Sequence, residues 1–182
     1  MLVTVGHGTL AADELLALLA SASVTRLVDV RSHPGSRHVP HFGREAMAQW
    51  VPAGGIDYRW EPALGGRRRL AGQSDNVALR NASFRAYADH MASAEFADAL
   101  AVLADAAVEP VVAVMCAESV WWGCHRRLIA DAAVLLHGAD VRDLFHDGRL
   151  AEHEPSAQAR VAKLDDRAVL VYDRGADRLP GA

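Results

Sequence analysis

Cysteines and long apolar runs are scarce in this 182-residue sequence. Two cysteines allow at most one disulfide, and without an export signal reduced thiols are the default expectation. No apolar run approaches the roughly 20 residues that span a bilayer. The opening Met-Leu-Val-Thr-Val-Gly-His lacks the basic and apolar stretches of a secretory signal. We therefore expect a cytoplasmic protein with no membrane partner.

Strong net charge is also absent, since the formal charge is -4. That total gives no general steering toward nucleic acid, although a local basic patch such as Arg67–Arg69 is compatible with it. A hydrophobic share of 51% argues against disorder. We expect an α/β domain over residues 1–147, followed by a C-terminal extension over residues 148–182 that could add an edge strand.

Several phosphate-binding signatures are missing. There is no Walker A motif, and Gly6-His7-Gly8 lacks the third glycine of a dinucleotide-binding turn. A phosphatase places five residues between its cysteine and its arginine, whereas nine residues separate Cys116 from Arg126. These absences exclude the best-known phosphate-loop enzymes but leave other anion sites open.

Short apolar runs alternate with helical patterns along the chain. The predicted strands are Leu2–Val5, Leu27–Val30, Ile56–Trp60, Val111–Met115 and Val141–Phe145, with Val169–Tyr172 as an extra strand in the extension. The predicted helices are Leu10–Leu19, with Thr9 or Asp13 as its N-cap, Arg44–Ala53, Ser83–Met91, Glu95–Ala107 and Cys124–Leu136. The alternation predicts a single doubly wound, mostly parallel sheet with helices on both faces.

Chemically versatile residues follow four of these strands. His7, Arg31, Cys116 and His146 each come directly after, or close to, a strand end. Ligands of doubly wound sheets bind outside the carboxyl ends of the strands. We therefore expect these four residues to gather at one edge of the sheet.

The segment from Cys116 to Arg126 concentrates the reactive side chains. Backbone N–H groups at a helix start, together with Arg126 and Arg127, would favour a thiolate or a bound anion. Glu118 and His125 are then the candidate proton carriers.

Each of these residues also has a structural interpretation. Cys116 could be a buried small hydrophobe, Cys124 could be either core or a redox partner, and Arg126 and Arg127 could be surface charges. Trp121, with its neighbour, could cap the core, stack on a planar ligand or form a dimer contact.

Zinc is the alternative to a site without a cofactor. Cys116, Cys124 and His125 could bind it, with His7 or Glu118 as a fourth ligand. The spacing of the two cysteines is not that of a compact zinc motif, so we expect no metal or other cofactor.

The combined motifs resemble a bacterial and archaeal family called domain of unknown function 488, from about residue 3 to about residue 146. The resemblance is carried by the following segments: Val5-Gly6-His7, Leu27–Ser32 with Pro34 and Ser36, Leu64-Gly65-Gly66, Phe84–Ala88, Met115–Glu118 and Cys124-His125-Arg126. The sequence departs from the family in having Gly8 where a serine is usual. The strand-end layout is also similar to that of rhodaneses, although the loop after Cys116 is longer.

The resemblance implies a cytosolic α/β domain and places its site on matching residues: His7, Asp29, Arg31, Cys116, Glu118, Cys124, His125 and Arg126. Our leading hypothesis is an enzyme that acts on an anionic, nucleotide-like small molecule. Its catalytic residues would be Cys116, Glu118, His125 and His7, and Cys124 would be a redox or ligand partner. Its substrate-binding residues would be Arg31, Ser32, Asp29, Arg126, Arg127 and Trp121.

Two other functions remain open. Arg67–Arg69 and Trp121-Trp122 would suit a binding module for a nucleotide or a nucleic acid, because stacking needs aromatics beside positive charge. The Cys116, Cys124 and His125 set would suit a metal-stabilised structural or partner-binding domain.

Overall fold

The computed structural model describes residues 1–35, 39–107 and 110–173. The strands are β1 (Leu2–Gly6), β2 (Arg26–Asp29), β3 (Asp57–Trp60), β4 (Val112–Cys116), β5 (Val141–Leu144), β6 (Leu150–Glu152), β7 (Ala159–Leu164) and β8 (Arg167–Tyr172). The α-helices are α1 (Ala12–Ser21), α2 (Arg44–Ala53), α3 (Ala82–Met91), α4 (Ala94–Ala106) and α5 (Arg126–His137).

Six strands form one sheet in the order β3-β2-β4-β1-β5-β6. The first five strands of this order are parallel, and β6 pairs antiparallel with β5. Helices α1 and α2 cover one face, while α3, α4 and α5 cover the other. The predicted α/β class and its mostly parallel sheet are therefore confirmed.

Alternation along β4 decides which way the first cysteine points. Ala113 and Met115 belong to the core beneath α1 and α2. Val114 and Cys116 belong to the core beneath α3 to α5, and Cys124 is part of that same core. Because side chains alternate across a strand, Cys116 faces the side of the sheet that carries α5.

Two helix starts differ from the predictions. Helix α1 begins after Ala11, whose N–H donates to the Glu14 carboxylate at 2.7 Å, so neither Thr9 nor Asp13 is its N-cap. Helix α5 begins at Arg126 rather than at Cys124. A 3₁₀ turn over Trp121–Gly123 is followed by extended backbone at Cys124, which delays the helix by two residues.

The segment after residue 147 returns to the main sheet before it leaves again. β6 is the edge strand, and β7 and β8 form a separate antiparallel hairpin. The predicted strand Val169–Tyr172 lies within β8, where it pairs with β7 rather than with the main sheet. The sequence prediction missed β6, which is only three residues long, and β7, which is mostly exposed and carries a basic residue on each face.

A buried group of polar side chains joins this segment to α5, and we call Asp131, Asp143, His153 and Tyr172 the C-terminal polar cluster. His153 lies 3.0 Å from Asp131 Oδ1 and 2.9 Å from Asp143 Oδ2. The Tyr172 hydroxyl donates to Asp131 Oδ2 at 2.8 Å. Asp131 therefore links α5 to β6 and to the hairpin.

Among the residues that the structure describes, no helix combines the length and the apolar character needed to cross a membrane.

Candidate functional site

A cavity of about 500 Å³ opens at the carboxyl ends of β1, β2 and β4. Of the predicted site residues, His7, Arg31, Ser32, Cys116, Glu118, Cys124 and His125 line it, together with Arg67 and Gly66 from the long loop after β3. The cavity therefore brings together residues from four separate stretches of the chain. His146 is not among the lining residues; it follows β5 and donates from Nε2 to the Gly6 carbonyl at 2.7 Å.

Both cysteines are buried at the floor of this cavity. Their sulfurs are in direct contact as a disulfide, while their Cα atoms lie 7.7 Å apart. Disulfides usually join Cα atoms about 4.4–6.8 Å apart. The backbone positions of the two cysteines are therefore farther apart than in most disulfides.

His125 is placed against the second cysteine. Its Nδ1 is 3.4 Å from Cys124 Sγ, and its Nε2 is 2.9 Å from the Val30 carbonyl oxygen. Since a carbonyl can only accept, Nε2 carries the hydrogen and the neutral ring turns the lone pair of Nδ1 toward the sulfur. Burial, aided by the charge of Arg126, lowers the pKa of His125 to about 4. The ring is therefore neutral at neutral pH.

The double glycine after β3 covers the ring of His125. A Cβ on Gly66 would lie 2.9 Å from His125 Nδ1, closer than real Cβ atoms approach other atoms. Ser32 donates its hydroxyl hydrogen to the Gly66 carbonyl, which fixes this turn against β2. The Gly65-Gly66 pair is thus needed for close packing over the site, a role that the sequence interpretation did not assign to it.

His7 holds an arginine in place. Its Nδ1 donates to the Gly8 carbonyl at 2.9 Å, and its Nε2 faces Arg31 Nη1 at 3.2 Å. Burial, followed by the charge of Arg31, lowers the pKa of His7 to about 4. The ring stacks on Phe42 with 4.1 Å between centroids. In this arrangement His7 positions Arg31, because its one free lone pair is already used.

Arg31 is clamped on its other side by a buried carboxylate. Asp29 accepts from Arg31 Nε at 2.8 Å and from Nη2 at 2.6 Å, and it also accepts from the Tyr58 hydroxyl. Asp29 is fully buried and does not line the cavity, so it orients Arg31 rather than meeting a ligand itself. Arg31 Nη1 has His7 Nε2 as its hydrogen-bond partner among the described residues.

The buried Arg126 supports the loop that follows β4. Its Nη2 donates to the Glu118 carbonyl at 2.7 Å, while Nε and Nη1 have no partner among the described residues. This loop crosses directly over Gly6, where an added Cβ would lie 1.7 Å from the Glu118 carbonyl oxygen. Arg126 therefore holds the loop that presents the exposed Glu118 side chain at the cavity rim.

Four residues predicted to bind substrate do not line the cavity, namely Asp29, Arg126, Arg127 and Trp121. The guanidinium of Arg127 lies 5.5 Å from the centre of the Phe84 ring. Trp121 packs edge-on against His153 of the C-terminal polar cluster, with 5.0 Å between centroids. The first N–H groups of α5 are also occupied, since Arg127 and Leu128 donate to the carbonyls of Cys124 and His125.

Arg67 is the exposed cation that sequence reasoning left outside the site. It lies on the cavity rim with a positive φ of 54°. Its neighbour Arg68 is tied to the carbonyls of Gly65 and Pro62, which holds the loop in shape. The run of three arginines was the available signal, although it did not reveal which of them faces the cavity. Ser36, quoted in the family resemblance, lies outside the described residues.

Comparison with known proteins gives one family. A sequence model described as Domain of unknown function DUF488 matches residues 11–133. This match is shorter at both ends than the expected resemblance, and it includes Asp29, Arg31 and the whole Cys116 to Arg126 segment but not His7. No curated protein and no solved structure gives a significant match. Because the family model covers more than half of the sequence, the chain belongs to the domain of unknown function DUF488 family.

Proposed function

We propose that this protein is an enzyme that acts on an anionic small molecule held in the cavity at the carboxyl edge of the sheet. The observation that carries the proposal is the lining of that cavity. One side holds the sulfurs of Cys116 and Cys124 with His125, and the same cavity is lined by Arg31 and Arg67. A reactive centre and two cations that could bind an anion therefore line the same cavity.

The two arginines would contribute in different ways. Arg31 is rigid, since Asp29 and His7 hold its guanidinium on two sides. Arg67 is exposed and forms no hydrogen bond or ion pair among the described residues, so it is free to reach an anion. A rigid cation fixes the position of a ligand, while an exposed one adds attraction that salt screens.

The proton chemistry would fall on two groups. Glu118 is the carboxylate that lines the cavity, and its exposure lets it exchange protons with solvent. His125 Nδ1 lies 3.4 Å from Cys124 Sγ, so the neutral imidazole offers its lone pair on the side of that sulfur. Cys124 thus has a polar partner beside it, whereas the sequence hypothesis had given the main chemical role to Cys116.

Binding of a nucleotide is a narrower form of the same proposal. The cavity gives no support for stacking of a base on the two tryptophans. Trp121 and Trp122 pack edge-on against each other at 5.7 Å, and neither lines the cavity with Arg67. We therefore propose recognition through the anionic group of the ligand rather than through a stacked base.

The proposal is tested with inorganic phosphate and adenosine monophosphate as probes. We expect either anion to raise the melting temperature of the reduced protein in a saturable way, because a ligand that binds only the folded state stabilises it. Arg67→Gln should weaken binding by about tenfold, the loss expected for one charge-assisted hydrogen bond of roughly 1.4 kcal/mol. Arg69→Gln is the matched control, since Arg69 is exposed in the same loop but does not line the cavity.

Equal losses from the two substitutions would contradict the anion site, as would the absence of any stabilisation by both probes. A compound that binds would then be assayed for conversion. Conversion that is unchanged by both Cys116→Ser and Cys124→Ser would remove the sulfur cluster from the reaction.

A further inference from the structure

Three side chains at the floor of the cavity have the composition and spacing of a metal site. The Sγ atoms of Cys116 and Cys124 and a ring nitrogen of His125 all lie within 4.8 Å of one another. In a tetrahedral zinc site, bonds of about 2.3 Å to sulfur and about 2.0 Å to nitrogen place neighbouring ligand atoms roughly 3.5 Å apart. The 3.4 Å between Cys124 Sγ and His125 Nδ1 already matches that separation.

The surroundings of His125 prepare it to be a ligand. Metal-binding histidines usually donate their second ring N–H to a carboxylate or a backbone carbonyl, which fixes the tautomer. Here Nε2 donates to the Val30 carbonyl, and Nδ1 is left pointing at the sulfurs. Gly66 packs closely against that ring, since a Cβ at this position would lie 2.9 Å from Nδ1.

The backbone spacing of the cysteines agrees with a shared ion. Their Cα atoms are 7.7 Å apart, which is wider than the usual limit of about 6.8 Å for a disulfide. A metal ion between the sulfurs lengthens the bridge, which agrees with this wider spacing. Seven residues separate the two cysteines, which is more than a compact zinc motif has. The 3₁₀ turn lies within this segment, directly before Cys124.

A fourth protein ligand is missing among the described residues. His7 is occupied by Arg31, and Glu118 is not part of the three-residue group. Structural zinc sites have four protein ligands, whereas catalytic sites have three and leave one position for water or substrate. All three ligands line the cavity, so we expect the fourth coordination position to face the cavity that Arg31 and Arg67 also line.

We propose that Cys116, Cys124 and His125 bind one thiophilic divalent ion, with zinc as the natural candidate, and leave its fourth position open to the cavity. The inference rests on the proposed function, because it names the reactive centre of the same site. Two thiolates and a neutral imidazole balance the charge of the ion, and the fourth position would bind the anionic group of the substrate or an activated water. The disulfide and the metal exclude each other, because the metal binds two thiolates and a disulfide forms only when these thiolates have lost two electrons to an oxidant.

The test uses the full-length protein, reduced and stripped of metal, and then titrated with Co²⁺ as a spectroscopic probe. We expect one equivalent to bind, with thiolate-to-cobalt charge-transfer absorption and the visible bands of a tetrahedral ion. Zn²⁺ should displace it. Cys116→Ser, Cys124→Ser and His125→Ala should each weaken binding by at least about tenfold, the smallest loss seen even for groups that only support a ligand. His33→Ala is the control, because His33 lines the same cavity outside the metal group.

Azide probes the open position. A change in the visible cobalt bands on adding azide is expected if water occupies the fourth position, while an unchanged spectrum would show a closed site and overturn that part of the inference. Substoichiometric cobalt, or equal affinity in wild type and the cysteine variants, would overturn the metal site itself. Far-ultraviolet circular dichroism of each metal-free variant shows whether a loss reflects unfolding; if one cysteine variant unfolds, the other and His125→Ala decide.

Failure of this inference is distinguishable from failure of the proposed function. Phosphate binding that depends on Arg67 is measured on metal-free protein. If it persists while cobalt does not bind, the anion site stands and the metal is rejected. If cobalt binds and neither phosphate nor adenosine monophosphate does, the metal stands and the anionic substrate is rejected.

Discussion

Two histidines that pack near helix α5 differ in charge, since one is neutral and the other is positive. His125 immediately precedes the helix and belongs to the candidate site, and its pKa is lowered to about 4. His153 packs against Asp131 within the helix, and its pKa is raised to about 9. Burial lowers the pKa of both rings, so burial alone does not explain the difference.

The hydrogen-bond partners decide the charge. His153 has a carboxylate at each ring nitrogen, Asp131 and Asp143, and two acceptors that cannot donate require an imidazolium that donates from both. His125 has one carbonyl and one sulfur, with Arg126 nearby to oppose a positive charge. A neutral ring is free to bind an ion or accept a proton, whereas a charged ring between two acids serves as a structural link.

The largest expected effect comes from breaking the C-terminal polar cluster at its centre. Asp131→Ala removes the acceptor for His153, for the Ser156 N–H and for the Tyr172 hydroxyl, and leaves a buried cation with one partner fewer. Breaking a buried ion pair in this way costs about 3–5 kcal/mol. The free energy of unfolding, from urea denaturation followed by circular dichroism, should fall by that amount.

Asp140→Ala is the matched control for this substitution. Asp140 pairs with Arg142 at 2.8 Å on the surface, and exposed pairs contribute about 0–1 kcal/mol. A loss below about 1 kcal/mol for Asp131→Ala, within the range of the control, would show that the cluster adds nothing to stability.

The next effect is a loss of stability in mild alkali. His153 has a folded pKa of about 9, above its ordinary value of 6.5, so the folded protein keeps a proton that the unfolded chain releases. The contribution of His153 to the free energy of unfolding is therefore fully present below pH 6.5 and is lost as the pH rises toward 9, by an amount on the order of 3 kcal/mol. His7 and His125 behave in the opposite way, because their pKa values are lowered to about 4 in the folded protein. The unfolded chain binds protons at these residues first, so their effect is to lower the free energy of unfolding as the pH falls from 6.5 to 4.

The measurement is a series of urea midpoints from pH 6 to pH 9.5 for the wild type and His153→Gln. The difference between the two proteins is the quantity of interest, because it isolates the contribution of His153. The wild type should lose its advantage steadily above pH 6.5; parallel curves would mean that His153 is not charged in the folded state.

The strand-end rule predicted much of the site because it depends only on element order. His7, Arg31 and Cys116 lie far apart in the sequence, yet parallel strands bring their ends to one edge, and all three line the cavity. The rule did not separate ligand-facing groups from supporting ones. Asp29 and Arg126 resemble binding residues in the sequence, and only their partners show that one orients Arg31 and the other holds the Glu118 loop.

The C-terminal polar cluster was not predictable in the same way. Asp143 lies on a strand whose other buried residues are apolar, Asp131 lies within a mostly buried helix, and His153 lies in an irregular segment. Taken one at a time, each of these three residues would be predicted to be an exposed polar residue. Their burial depends on β6 turning back along β5, a pairing of three residues that carries no periodic signal.

The smallest expected effects come from two tyrosines, Tyr58 beside the candidate site and Tyr172 in the C-terminal polar cluster. The Tyr172 hydroxyl is the hydrogen-bond partner of Asp131 Oδ2, whereas Asp29 Oδ2 accepts from Arg31 Nη2 as well as from Tyr58. Tyr172→Phe leaves a buried carboxylate oxygen without its partner and should cost about 1–3 kcal/mol. Tyr58→Phe leaves Asp29 still paired with Arg31 and should cost about 0.5–1.5 kcal/mol. Urea denaturation at pH 6.5 ranks the two substitutions. A larger loss of stability from Tyr58→Phe would mean that Arg31 alone does not satisfy the hydrogen bonding of Asp29. Asp29 would then hold Arg31 less rigidly than the two short contacts between them indicate.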